Sequence, residues 1–223
     1  MSTRTANIIS IIGILLVAAY AAWMYPGLPD PMPTHWNAAG EVDGYSPKPV
    51  GAAFIAGIPV LSFIIFKLIP VISPRGFRTE SFTGTLNIIM VATVVFGCVL
   101  GVGLLHAARD ASLNVSSFVY VAVGLLFVVM GNFLGKVRKN FFLGIRTPWT
   151  LASDEVWAKT HRLGGWCFVI AGVFMAIMGV VAPTSTWFIG AIVAIALSPV
   201  VYSFFAYRKI EGFAPDPEID EEQ

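Results

Sequence analysis

The 223-residue sequence predicts an all-α membrane protein with six transmembrane helices and a structured cytoplasmic segment between the fourth and fifth. Composition is the first reason: 57% of residues are hydrophobic, 12% are charged, and the mean hydropathy is +0.78, far from soluble averages. The second is the pattern of apolar runs, at 7–25, 51–69, 85–106, 115–135, 165–182 and 186–207. Each comes close to the roughly 20 helical residues that cross about 30 Å of hydrocarbon. The third is the placement of basic residues. With the N-terminus inside, twelve of the fourteen Lys/Arg residues fall on the cytoplasmic side, leaving Lys48 and Arg109 outside. That asymmetry predicts a multi-pass membrane protein with both termini cytoplasmic.

The first apolar run leads into Trp23-Met24-Tyr25-Pro26 rather than a small-residue cleavage site, so it reads as a retained span. An outer loop follows at 26–49. Its prolines between Pro26 and Pro33 predict an extended lead-in, while Asn37 to Gly40 and Asp43-Gly44 carry turn chemistry. His35, Glu41 and Asp43 are the residues of this loop that a metal would use. Their spacing matches no metal signature, so they read as an ordinary polar loop without a metal. Trp36 and Tyr45 read as interfacial anchors.

None of the 27 charged residues falls in the middle of an apolar run; Lys67 lies near an end, where its stem reaches the interface. A proton-relay pump would place a charge centrally, so this pattern counts against one. Gly97 with Gly101, and Gly131 with Gly135, are spaced for close helix approach within the bundle. Pro59 and Pro199 predict kinks in the second and sixth spans. Asn87 and Asn132 predict a hydrogen-bonded tie between the third and fourth. Cys98 and Cys167 each lie in an apolar run and read as small buried residues.

The segment 135–166 is the longest interval without an apolar run, and it holds six basic residues: Lys136, Arg138, Lys139, Arg146, Lys159 and Arg162. Gly144 is the expected turn, and Thr147-Pro148 suits the start of a short helix. Ser153 reads as an N-cap with Asp154 and Glu155 in the first turn, and Glu155 pairs with Lys159 at i,i+4. A short amphipathic helix is therefore expected at 153–163, lying along the inner membrane surface and released into the fifth span by Gly164-Gly165. Simple anchoring at the headgroups accounts for Trp149, Trp166, Lys136 and Lys139. It accounts less well for the density of Asn140, Arg146, Thr147, Trp157, Thr160, His161 and Arg162, which favours a binding surface or a structural lock. No nucleophile, base and acid fall together, so neither catalytic residues nor a cofactor are expected.

The run from Asn140 to Trp166 (NFFLGIRTPWTLASDEVWAKTHRLGGW) resembles the signature of the SdpI family of membrane immunity proteins, with likeness across 119–195. Pro31 to Tyr45 is similar to a second module of unknown function that often precedes it. The resemblance implies protection of a bacterial cell from a secreted antimicrobial peptide toxin. For the family's best-known case it also implies signalling, the toxin-occupied protein holding a transcriptional repressor at the membrane.

These readings divide the chain into a two-span module at 1–80 and an SdpI-like four-span domain at 81–223, ending in an acidic tail at 211–223. The expected partners are the lipid bilayer, a peptide toxin and a cytoplasmic repressor, without direct nucleic-acid binding. The residues assigned to the lock or partner site are Asn140, Gly144, Arg146, Thr147, Pro148, Trp149, Trp157, Thr160, His161 and Arg162. Those of the outer loop are His35, Trp36, Asn37, Gly40, Glu41 and Asp43. Two rival functions fit the same composition. One is a small-molecule or lipid transporter hinged at Pro59 and Pro199; the other is an intramembrane metal-dependent enzyme using His35 or His161.

Overall fold

The computed structural model describes residues 1–110, 113–182 and 187–213. Ser2 starts the first helix, its hydroxyl accepting the Thr5 N–H at 3.1 Å, one of the donors a helix start leaves unmet. Helix α1 spans Thr3–Met24. After a 3-10 turn at Tyr25–Gly27, strands β1 (Met32–Trp36) and β2 (Val42–Ser46) form an antiparallel hairpin. Helix α2 (Lys48–Ile72) follows, its first N–H donating to the Asp30 carboxylate at 3.2 Å. Helices α3 (Thr83–Arg109) and α4 (Val115–Leu134) come next, the latter capped by Asn114, which accepts from Ser117 N–H at 3.0 Å. Short helix α5 (Pro148–Ala152), α6 (Asp154–Val181) and α7 (Trp187–Ile210) complete the described chain.

Six of these helices, all but α5, are long and apolar enough to cross a membrane. Only 22–39% of each one's most apolar window is buried inside the protein. Leu15, Leu16, Trp23, Val71 and Val181 are among the side chains left facing outward. So much outward apolar surface is stable against lipid and not against water. The chain is a multi-pass membrane protein.

The helices pack in two sets. Helices α2 and α1 lie on α3, and α7 lies on α6, which itself packs most extensively on α4; contact between α3 and α4 joins the sets. The tightest seam is α4 against α6, antiparallel. A Cβ at Gly131 would stand 2.6 Å from the Gly165 carbonyl oxygen, and one at Gly165 would stand 2.7 Å from the Gly131 oxygen. Gly124 and Gly172 face each other in the same way, at 2.6 and 2.5 Å. In lipid the hydrophobic effect does not drive helices together, so such backbone approach supplies the attraction through van der Waals contact. On the other set, Gly97 lies against Pro59, and Gly101 against Val17 and the Ile55 carbonyl.

Several expectations are corrected. The amphipathic helix 153–163 and the fifth span are one continuous helix, so this stretch is not a separate element lying along the membrane surface. Gly164 and Gly165 sit inside α6, where they make room for neighbours: a Cβ on Gly164 would meet Ile145 Cδ1 at 2.5 Å. Asn87 donates to Met1 O (3.2 Å) and Thr3 Oγ1 (3.1 Å), tying α3 to the start of α1 rather than to α4. Asn132 donates to Val128 O of its own helix, at 2.7 Å. The outer loop is a hairpin: the turn falls at 37–41 with Gly40 at φ +86°, whereas Asp43 and Gly44 lie within β2. Cys98 and Cys167, expected to be buried, are free thiols that are only partly buried. From residue 214 onward, the expected acidic tail lies outside the described residues.

Candidate functional site

The hairpin and the 135–166 segment sit at opposite ends of the α1–α3 set. Met32 and Leu28 join a core with Ala21, Ile55 and Leu105 beneath the hairpin, whereas Val137 and Trp157 join a core with Ala6, Phe66, Phe82 and Leu86 at the other end. Lys48 reaches Pro26 O, and Arg109 lies against Gly27, so both of these basic residues stand at the hairpin end.

Asn140 organises the first part of the segment. It is fully buried, and its carbonyl oxygen accepts from Phe142 N–H (2.8 Å) and Leu143 N–H (2.7 Å). Its amide donates to Arg138 O (2.9 Å) and Leu143 O (3.0 Å), so a single side chain satisfies four backbone groups of a loop that makes no ladder. Arg146 donates to Phe141 O, closing the same loop from its exposed side.

His161 holds the second part. It is fully buried on α6, stacked on Trp157 with ring centroids 3.9 Å apart and planes 18° apart. Its Nε2 accepts the Ile145 N–H at 2.9 Å, so Nε2 carries no proton. Its Nδ1 therefore carries one, donated to Trp157 O at 2.8 Å. Both nitrogens are committed, and the ring is a neutral strut rather than a base awaiting a substrate. Gly144 makes room for it: its φ is +111°, and a Cβ there would stand 2.2 Å from Nε2. Trp157 in turn donates its indole N–H to Val137 O at 2.8 Å, joining α6 to the end of α4.

Thr147 caps α5, accepting from Thr150 N–H at 3.1 Å, while Thr150 Oγ1 accepts from Thr147 N–H at 2.9 Å and donates to Ile145 O at 2.8 Å. The backbone of Ile145 is thus gripped on both sides, by His161 and by Thr150. Thr147 also meets Ser203 of α7 at 3.0 Å, and Trp149 packs edge-on against Phe204 at 5.1 Å. Ser153 caps α6.

Of the residues singled out in the sequence, Asn140, Gly144, Thr147, Trp157 and His161 converge on this hydrogen-bonded cap, with Trp149 at its α7 edge. Arg146, Pro148 and Arg162 are exposed around it, and Thr160 is buried with its hydroxyl unpartnered. Four participants were missed. Thr150 was legible as the second member of a Thr-x-x-Thr capping pair. Ile145 and Val137 contribute backbone groups, and Ser203 is brought in by α7, so none of these three left a signal in local sequence.

At the hairpin end, Asn37 Oδ1 accepts from Ala39 N–H and Glu41 N–H, and its amide donates to Glu41 at 3.0 Å. His35 pairs with Asp43 at 2.5 Å, both largely exposed. Trp36 is half-buried against the core beneath, and Gly40 supplies the turn. Ser116 of α4 donates to Ala38 O at 3.0 Å and fastens the turn to the bundle. Among the described residues no three of His, Cys, Asp and Glu lie together as a metal would require.

Fold and site define a class: a six-span membrane protein whose connector between α4 and α6 is folded into a buried polar cap over the helix ends. Residues 136–203, which include that cap from Lys136 onward, match the SdpI/YfhL protein family, and residues 12–60 match a domain of unknown function, DUF1648. The chain is similar to "Immunity protein SdpI" of Bacillus subtilis (strain 168), 24% identical over 210 residues that cover 92% of this chain and 98% of that one. No solved structure matches.

Proposed function

We propose that this chain is a non-enzymatic immunity protein of the bacterial cytoplasmic membrane that protects its host from a secreted antimicrobial peptide. The observation that carries this reading is the end-to-end similarity to the Bacillus subtilis immunity protein. In the proposed orientation both termini and the 135–166 cap are cytoplasmic, and the hairpin faces outward; the lopsided distribution of Lys and Arg supports it. The peptide meets the protein at the hairpin or within the bilayer. Helices α1–α3 run from the hairpin to the cap, giving a packed route by which occupancy at one end alters the other. A cap displaced in this way is the proposed surface for a cytoplasmic repressor. The commitment of both His161 nitrogens to structural bonds supports a binding role over acid–base chemistry.

The test removes the gene from its host and expresses it in a sensitive strain, then challenges both with peptide fractions of the host's culture fluid. Sensitisation of the deletion strain and survival of the expressing strain are expected. Unchanged killing in both, with the protein confirmed in the membrane, overturns the reading.

A further inference from the structure

Helix α6 has 28 residues, about 42 Å at 1.5 Å per residue, against a hydrocarbon layer of about 30 Å. The excess of about 12 Å, some two turns, falls on the cap side, because the charged residues of α6, Asp154, Glu155, Lys159 and Arg162, all lie at that end. Arg162, its ninth residue, stands at the boundary, with Trp166 one turn deeper, at the depth where interfacial tryptophans collect. Two clefts meet at this point. One, of about 630 Å³, is lined by Ser81 and Thr85 and by Lys136, Arg138, Lys159 and Arg162, with Glu155 its one acidic residue. The other, of about 240 Å³, runs between α4 and α6 past Gly131, Asn132, Gly165, Trp166 and Val169 and is mostly apolar. Gly135, Lys136 and Arg162 line both.

The charges are unevenly neutralised. Lys159 is paired with Glu155 at 2.6 Å and Lys139 with Asp154 at 2.6 Å. Among the described residues no carboxylate pairs with Lys136, Arg138 or Arg162; Lys136 sits over the Phe133 ring at 4.8 Å. Unpaired cations thus gather where a polar cleft turns into an apolar groove at the edge of the hydrocarbon. The Gly131–Gly165 contact brings α4 and α6 together along that groove, and both glycines line it without side chains. A free anion would use only the polar part. A molecule with an anionic head and a hydrocarbon chain uses both.

We propose that this cleft binds one anionic phospholipid. Its phosphate is held at the Lys136–Arg162 edge, and one acyl chain lies along Trp166 and Val169. The site is independent of the immunity reading, because it rests on charge and shape at the α4–α6 seam. A lipid here bridges the end of α4 to α6 directly beside the Trp157–Val137 bond, and so makes the cap sensitive to membrane composition.

Native mass spectrometry of the full chain in detergent, titrated with phosphatidylglycerol or phosphatidylcholine, tests this. One saturable phosphatidylglycerol is expected, bound more tightly than phosphatidylcholine. Removing both cations with Lys136→Gln and Arg162→Gln weakens it by about thirtyfold; Lys67→Gln, outside the cleft, leaves it unchanged. The charge-preserving pair Lys136→Arg and Arg162→Lys retains binding and controls for folding, and Arg162→Gln alone serves if the double variant does not accumulate. Equal phosphatidylglycerol binding by the Gln variants and wild type overturns the proposal. So does full displacement of the lipid by excess inorganic phosphate, which marks the site as one for a free anion.

Discussion

His35 and His161 lie at opposite ends of the same bundle and show how differently two polar clusters are used. The hairpin histidine is paired with Asp43 in a largely exposed setting, the His35 side chain being 71% accessible, where solvent screens the pair and it contributes little. At the other end, His161 is fully buried, bonded through both nitrogens, and stacked on a tryptophan that is itself bonded. The difference lies in what replaces water when a bond is lost. At the hairpin water does; in the cap nothing does, and the orphaned group bears the full desolvation cost.

Gly144→Ala should sharpen this contrast most. It forces an L side chain into φ +111° and drives a Cβ to 2.2 Å from His161 Nε2. Strain of about 1–3 kcal/mol adds to loss of the Ile145–His161 bond. Little monodisperse protein is expected on gel filtration in micelles, and wild-type yield with a wild-type melting temperature would contradict the packing described.

Next comes His161→Phe, which keeps the stack on Trp157 and leaves the Ile145 N–H unmet, at about 1–3 kcal/mol. The paired change His35→Phe should shift stability by less than about 0.5 kcal/mol. Thermal unfolding of the two variants side by side in one detergent gives the comparison; equal shifts would break it. Trp157→Phe removes the donor to Val137 O and costs about 1 kcal/mol, visible as earlier proteolysis at the 135–140 stretch. Smallest is Arg146→Lys. The side chain is exposed and closes its loop onto one carbonyl, so stability should stay within about 0.5 kcal/mol of wild type. A drop in melting temperature as large as that for His161→Phe would show that Arg146 belongs inside the cap.

Some of this was legible before folding. Composition and six apolar runs determined the class of fold, because a bilayer of fixed thickness imposes its length on any helix that crosses it. Ser153 and Thr147 were readable as caps, and Gly144 as a turn, because such preferences act within four residues. The seam between α4 and α6 was written in the sequence as well, in Gly124 and Gly131 facing Gly165 and Gly172, each pair seven residues apart. The four-residue spacing Gly131–Gly135 reads the same seam in part, Gly131 against Gly165 and Gly135 against Arg162 of α6.

Only the tertiary structure decided the rest. A run of polar residues after an apolar helix looks the same whether it lies on the membrane or extends a span, and packing on α4 and α7 made 154–181 a single helix. The polar residues of the hairpin hid their pairing because two five-residue strands need the bundle beneath them to persist. The partners of His161, Trp157 and Thr147 are a backbone N–H, a backbone carbonyl and a serine 56 residues away. Backbone groups are the same at every position of the chain, and a distant hydroxyl leaves no local pattern. Sequence named most of the side chains that hold the cap, Thr150 and Ser203 aside, and only packing determined what they hold.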